Sequence, residues 1–191
     1  MTRFKRLREA TGDAPALPLL ALFLLNLVDE IDQVAFGIVA PDIRDTFDVS
    51  ETTITSLAAV AGALVIMLAV PVGFLADRGK RLRLVRFAAV AWGSMTVLTG
   101  ISGFVGALGL LFIARFGAGL GRVMNEPVHA SLLADYYEPA RHGRVFSLHR
   151  MANPIGTLTV LGCGLLADAV GWRAAFMLFA VPTLIAITMV S

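Results

Sequence analysis

Residues 53–72 and 84–101 are two apolar runs of membrane-crossing length, separated by only 11 residues. The first contains no charged side chain and the second contains one, Arg86. A helix of about 20 residues rises about 30 Å, the thickness of a bilayer's hydrocarbon core. In lipid every backbone polar group must be satisfied within its own segment, so such runs fold as helices. The connection between them is strongly basic. Over residues 73–86, Arg78, Lys80, Arg81, Arg83 and Arg86 stand against one acid, Asp77. Lys and Arg near helix ends stay on the cytoplasmic side. The direction of both runs follows from that anchor.

The bulk composition agrees. The chain is 57% hydrophobic and 16% charged, against about 45–50% and about 25% for soluble domains. The net charge of +2 comes from loop anchors beside apolar spans, not from a basic patch on a polar surface. No nucleic-acid partner is therefore expected. The single cysteine, Cys163, allows no internal disulfide and reads as a small packed hydrophobe. The first apolar run is too long for a cleavable signal peptide.

In chain order, residues 1–16 read as a cytoplasmic tail with Arg3, Lys5, Arg6 and Arg8. Residues 17–40 are the first span, closed by Pro41. Residues 41–51 read as an acidic external loop, with Ser50 as the N-cap of the next helix. Span two covers 53–75, span three 84–102 and span four 108–133. The cytoplasmic segment 135–150 carries Arg141, Arg144 and Arg150. Span five covers 145–170, with a kink expected at Asn153-Pro154. Gly171-Trp172-Arg173 is an outer turn, and span six follows. Of the 16 Lys and Arg residues, this topology puts 12 inside, two outside (Arg44, Arg173) and two within span four (Arg115, Arg122). Both ends are then cytoplasmic, and the setting is an integral protein of a bacterial inner membrane.

Charged residues inside the spans point to the site. A charge at a span centre costs about 2.5–3.5 kcal/mol on the insertion scale. Span one holds Asp29, Glu30 and Asp32. With Asn26 and Gln33 they occupy an arc of roughly 160° at about 100° per residue, which must face a wet cavity or other helices. Span four answers with Arg115, Arg122, Glu126 and His129, within an arc of roughly 60° on the helical wheel. Counting inward from the outer ends, Asp32 lies about 12 Å down and Arg115 about 10 Å down. Arg122, about 21 Å down, reaches up toward Asp29 or Glu30. Ionisable residues inside spans are functional-site candidates by default. The competing reading is a set of static pairs that only hold helices together. An acid that loses its Arg partner in a buried site takes up a proton, because burial and a nearby cation act on it in opposite senses.

An internal repeat is also visible. Gly73-Phe74-Leu75-Ala76-Asp77 recurs as Gly164-Leu165-Leu166-Ala167-Asp168. At an offset of 90, residues 40–45 and Phe47 face residues 130–135 and Tyr137. The copies fall on opposite sides of the membrane, as an inverted repeat of three spans requires.

These motifs resemble a known family. Gly73, Leu75, Ala76, Asp77 and Arg78, followed by Lys80 and Arg81, resemble the loop between helices 2 and 3 of the major facilitator superfamily of secondary transporters. Read alone, the same loop is an ordinary cytoplasmic anchor. Arg115-Phe116-Gly117-Ala118-Gly119-Leu120-Gly121 resembles that family's fourth-helix signature, in which glycines let helices approach closely. Asp32 with Gly37 and Pro41, Leu133-Ala134-Asp135, and Gly171-Trp172-Arg173-Ala174-Ala175-Phe176 resemble its spinster-type branch. This chain has Gln33 where that branch carries Arg, and Arg122 where it carries Glu. The branch's lipid substrates therefore do not transfer directly.

The resemblance implies an all-α membrane fold of six helices in two inverted repeats, residues 17–191, forming the N-terminal half of a twelve-span transporter. The partners implied are a C-terminal six-helix half absent from this sequence, the lipid bilayer, a small-molecule substrate and protons. The coupling and substrate residues expected are Asp29, Glu30, Asp32, Gln33, Arg115, Arg122 and Glu126. The conformational-switch loop expected is Gly73, Asp77, Arg78, Lys80 and Arg81, with Asp77 resembling the family's acid that caps a helix of the opposite half. The function expected is proton-coupled export or exchange of a small organic solute. Two alternatives stay open: a permease portion served by an ATP-binding cassette ATPase, and a lysolipid transporter of spinster type. The sequence contains no P-loop and no nucleophile triad, and its three histidines lack metal spacing. No enzyme, cofactor or metal is expected.

Overall fold

The computed structural model describes residues 11–12, 14–78 and 81–189; the side chains of residues 65, 75–78 and 124–126 lie outside that description. All secondary structure in the described residues is helical. The long helices are α1 (Leu17–Ile38), α3 (Glu51–Arg78), α4 (Arg81–Val105), α5 (Leu108–Tyr136) and α9 (Trp172–Met189). The short ones are α2 (Ala40–Phe47), α6 (His142–Arg150), α7 (Ala152–Leu158) and α8 (Val160–Val170), with a 3₁₀ turn at Pro139–Arg141.

The ends of these helices follow local chemistry. Pro18 occupies the first turn of α1, where a missing N–H costs nothing. The Leu19 amide, which has no intrahelical partner, donates to the Tyr137 hydroxyl at 3.2 Å, and that hydroxyl donates to the Pro15 carbonyl at 2.8 Å. The start of α1 is thus tied to the C-terminal end of α5. Proline 41 does not begin a loop, as the sequence reading expected. The chain breaks at Val39 and restarts at once as α2, with Pro41 in its first turn. A proline at 41 cannot continue α1, because its ring would clash with the carbonyl four residues back, yet it suits a new first turn. Helix α2 ends on Asp48 in the left-handed region, φ 50°. The Ser50 hydroxyl accepts from the Thr53 amide at 3.2 Å, as an N-cap does.

Two more expectations need correction. The Gly73–Arg78 part of the basic connection is the last turn and a half of α3, not loop. The chain from 142 to 170 is interrupted at Met151, three residues before Pro154, and bends by 48° at Thr159. Pro154 lacks the N–H that would continue the ladder, which explains the first break. At the second, the Thr159 hydroxyl donates to the Gly156 carbonyl at 2.6 Å and competes with the backbone for it.

Among the described residues, three helices are long and apolar enough to cross a membrane: Glu51–Phe74 within α3, Arg81–Val105 and Trp172–Met189. They become four if the bent run Pro139–Leu158 with Val160–Val170 is one span. Helices α1 and α5 have the length, but carry the charges of the candidate site.

Helix α5 packs on α4 and α3, α9 on α4 and α1, and α1 on α7, α8 and α9. The core has two apolar ends. One gathers Leu19, Leu22 and Leu25 with Val85, Val128, Leu132, Leu133 and Val145. The other gathers Ala35, Phe36, Ile43, Leu57, Leu111, Trp172 and Phe176. Between them, among the described residues, Val28, Trp92 and Ala118 form a small third cluster. That thin middle is where the charged side chains lie.

Candidate functional site

Successive turns of α1 bring Asp32, Asp29 and Asn26 to one buried face. Opposite them, α5 presents Arg115 and Arg122 seven residues apart, two turns along one stripe. Helix α4 closes in beside α5 because α5 is built of small residues there. A Cβ added at Gly121 would come within 2.7 Å of the Trp92 Cβ, and one at Gly117 within 2.5 Å of the Met95 Sδ. This close approach puts Thr96 of α4 beside the acids of α1.

Asp32 is the most buried member, with no exposed surface. Its Oδ2 accepts from Arg115 Nη1 at 3.0 Å, and its Oδ1 accepts from the Thr96 hydroxyl at 3.1 Å. The Arg115 guanidinium also lies over the Phe36 ring, 4.3 Å from its centroid, and 5.9 Å from that of Phe176. Two aromatic faces and one carboxylate thus replace its water. A bare charge at this depth would be prohibitive; this pairing is what makes it tolerable.

One turn inward, Arg122 Nε donates to both oxygens of Asp29, at 3.0 and 3.3 Å. Arg122 Nη2 and Trp92 Nε1 are buried with no hydrogen-bond partner among the described residues. Glu30 pairs with no guanidinium among the described residues. It accepts from the Thr157 hydroxyl of α7 at 3.1 Å, and its stem packs where Gly156 leaves room. Gln33 is exposed on the outer side of α1. The Glu126 side chain lies outside the described residues.

Further inward, Asn26 Nδ2 donates to Asn153 Oδ1 at 2.7 Å, tying α1 to the interrupted fifth run. It also approaches the His149 carbonyl at 3.4 Å. His129 Nδ1 faces His149 Nε2 at 3.3 Å, with the rings edge to face.

Of the expected switch-loop residues, the structure describes the surroundings of two. Gly73 has open space around the position a Cβ would take. Arg81 forms an ion pair with Asp135, joining the start of α4 to the last turn of α5. The side chains of Asp77 and Arg78, and all of Lys80, lie outside the described residues. At the opposite end, Arg173 Nε donates to the Gly103 carbonyl at 2.9 Å. The Thr46 hydroxyl accepts from both Arg173 Nη2 and Trp172 Nε1.

Sequence reasoning missed Thr96 and Thr157 as partners of the acids, Phe36 and Phe176 as neighbours of Arg115, and His149 and Asn153 as neighbours of Asn26. Phe36 lies one helical turn beyond Asp32 and carries a signal in its spacing. His149 and Asn153 are likewise one turn apart, but were read as cytoplasmic segment and kink. Thr96 had no signal, because a threonine in an apolar run is ordinary.

Comparison with known proteins agrees with the helical architecture. The sequence model of the Major Facilitator Superfamily matches residues 22–191. An MFS-type efflux pump of Mycolicibacterium smegmatis is 29% identical over 161 residues, 82% of this chain and 36% of the pump. A lincomycin resistance protein of Streptomyces lincolnensis is 29% identical over 164 residues, 84% of this chain and 33% of that protein. The chain spans about a third of the length of these relatives. A bacterial homologue of the human lysosomal transporter Spinster, in an inward-facing unoccupied conformation, superposes with a TM-score of 0.74 at 22% identity. That match covers 91% of this chain and 41% of the homologue.

Proposed function

Because this chain belongs to the Major Facilitator Superfamily, a family of membrane transporters, we propose that residues 17–191 are the six-span N-terminal half of a proton-coupled secondary transporter. It exports or exchanges a small organic solute across a bacterial inner membrane, with both ends of the half in the cytoplasm. The six spans are α1, α3, α4, α5, the bent run from α6 to α8, and α9. Its partner in space is a C-terminal half of similar size.

One observation carries the reading: two acid–guanidinium pairs join α1 to α5 in the thin middle of the fold. Asp32–Arg115 and Asp29–Arg122 both meet at 3.0 Å. Static helix pairing in lipid is achieved more cheaply with small residues and hydroxyls. Two charged pairs one turn apart suit a site whose pairing changes during a cycle. When Arg115 turns from Asp32 to a solute or to another helix, Asp32 takes a proton. When the pair re-forms, the proton leaves. Glu30 and Gln33, outside the two pairs, and Arg122 Nη2 are the groups offered to the solute.

The test is Asp32→Asn in the natural full-length protein, reconstituted in vesicles. The neutral amide keeps the shape and removes the proton. Uptake driven by a pH gradient should vanish, while exchange at equal pH on both sides should persist. If gradient-driven uptake survives, Asp32 is not the coupling residue. If both activities fail in a protein that is stable and folded, the pair serves packing or binding rather than coupling.

The spinster-type reading stands second, supported by the overlay on the Spinster homologue. Gln33 and Arg122 weigh against it. A lysolipid that competes for uptake would favour it.

A further inference from the structure

The polar column on α1 does not end at Asp29. Asn26, one turn further in, leads to two histidines on different helices. His129 of α5 is 1% exposed and His149 of α6 is 6% exposed. Their rings meet edge to face with centroids 5.4 Å apart, and Nδ1 of the first lies 3.3 Å from Nε2 of the second. The other nitrogen of His129, Nε2, is buried and has no hydrogen-bond partner among the described residues.

We propose that His129 and His149 form a single proton-binding site, one shared proton on two imidazoles, placed between the Asp29–Arg122 pair and the cytoplasmic end of the bundle. The role in transport rests on the proton-coupled reading above; the shared proton does not.

The chemistry follows from the contact. With both rings neutral, one must donate an N–H to the other across the 3.3 Å contact. When His129 donates from Nδ1, its Nε2 is a bare acceptor, buried and unused. One added proton can be held by either ring while the N–H···N bond persists. A second would put two like charges on touching rings, which opposes its entry. Such a pair titrates as a unit.

The surroundings define where the proton comes from and goes. Helix α1 brings Asn26 at this level and Asp29 one turn above it. Helix α7 brings Asn153. Helix α5 itself brings Arg122 two turns above His129, and Glu126, whose side chain lies outside the described residues. Helix α6 carries Arg150 next to His149. Helices α4 and α9 contribute the apolar Val85, Ala89 and Ala186 to the cluster that also contains Val128; Arg86 follows Val85 on α4. His129 lies seven residues, about 10 Å, from the inner end of α5. Leu19, Leu22, Leu132 and Val145 close the column below it. The histidines therefore lie nearer that end of the bundle than Asp29 does.

Nitrogen NMR on the natural full-length protein, labelled at histidine and held in lipid nanodiscs, tests this between about pH 5 and about pH 8, the range in which imidazoles titrate. Single His129→Gln and His149→Gln variants assign the signals. The expected result is one titration step shared by both rings, summing to one proton. In whichever variant folds, the remaining ring should titrate with a midpoint moved by about one pH unit, a tenfold change in proton affinity. If the wild-type rings stay neutral throughout, or titrate independently to two protons, the proposal is overturned. The same titration in the Asp32→Asn protein keeps the two questions apart. A shared step that persists there upholds the histidine site even if flux proves uncoupled from protons.

Discussion

A carboxylate with no exposed surface and a guanidinium held by one acid and two rings are each costly alone and tolerable together. Removing one partner of such a pair costs about 3–5 kcal/mol, because the other charge is left buried and bare. Arg115→Met should therefore destabilise the protein by up to about that amount in thermal unfolding at neutral pH and by less at acid pH, where Asp32 takes up a proton, and Asp32→Asn combined with Arg115→Met should recover most of the loss. A double variant no more stable than Arg115→Met would show that the two side chains do not act as a pair. Backbone proximity gives a second prediction at the same scale. A Cβ at Gly100 would run into the Arg173 carbonyl of α9, whereas a Cβ at Gly37 meets nothing. Gly100→Ala should cost about 1–3 kcal/mol through overpacking, while Gly37→Ala, within α1, should be neutral or stabilising by up to about 1 kcal/mol. Equal effects would mean that α4 and α9 do not approach as closely as described. Much of the charged site is readable in sequence, because charges are rare in apolar runs and helical spacing fixes their faces. Depth counting put Asp32 level with Arg115, and the structure has them in contact. The partner of Glu30 was not readable, since Thr157 lies on the interrupted fifth run and no pattern gave its depth.

At the scale of elements, the apolar runs announced most helices, and the errors fell where proline and threonine act on the backbone. Pro41 reads as a stop but serves as a start, because the same missing N–H that ends one helix suits the first turn of the next. The bend at Thr159 needed a side chain competing for a carbonyl, which no hydrophobic pattern records. The basic connection makes a prediction about direction. Arg81 is tied to Asp135, so the start of α4 and the end of α5 lie together. Cysteines placed one at a time at positions 78–83 should react with a membrane-impermeant thiol reagent only from the cytoplasmic face. Labelling from outside would reverse the assigned direction of every span. The Arg81–Asp135 pair itself is solvent-accessible, and pairs of that kind contribute about 0–1 kcal/mol. Asp135→Asn should leave thermal stability nearly unchanged.

At the scale of the molecule, the described residues form a helical bundle with two apolar ends and a thin charged middle. The apolar ends hold the helices, while the middle holds the Asp32–Arg115 and Asp29–Arg122 pairs. The exposed apolar side chains on α3, α7 and α8 (Ile66, Met67, Val70, Leu158, Leu161 and Leu165) are ordinary for surfaces that meet lipid or another helical half. The central claim is that solute movement and proton movement are one process in this fold. The most direct measurement follows internal pH with a trapped dye, in vesicles of the natural full-length protein with no imposed gradient. Lincomycin, ethidium and D-glucarate are offered in turn, as a relative's namesake solute, an organic cation and an organic dianion. The account predicts that a transported solute shifts the internal pH as it enters, and that Asp32→Asn abolishes the shift while equal-pH exchange of that solute continues. A solute that accumulates with no proton movement in the unaltered protein, at any pH tried, would contradict it.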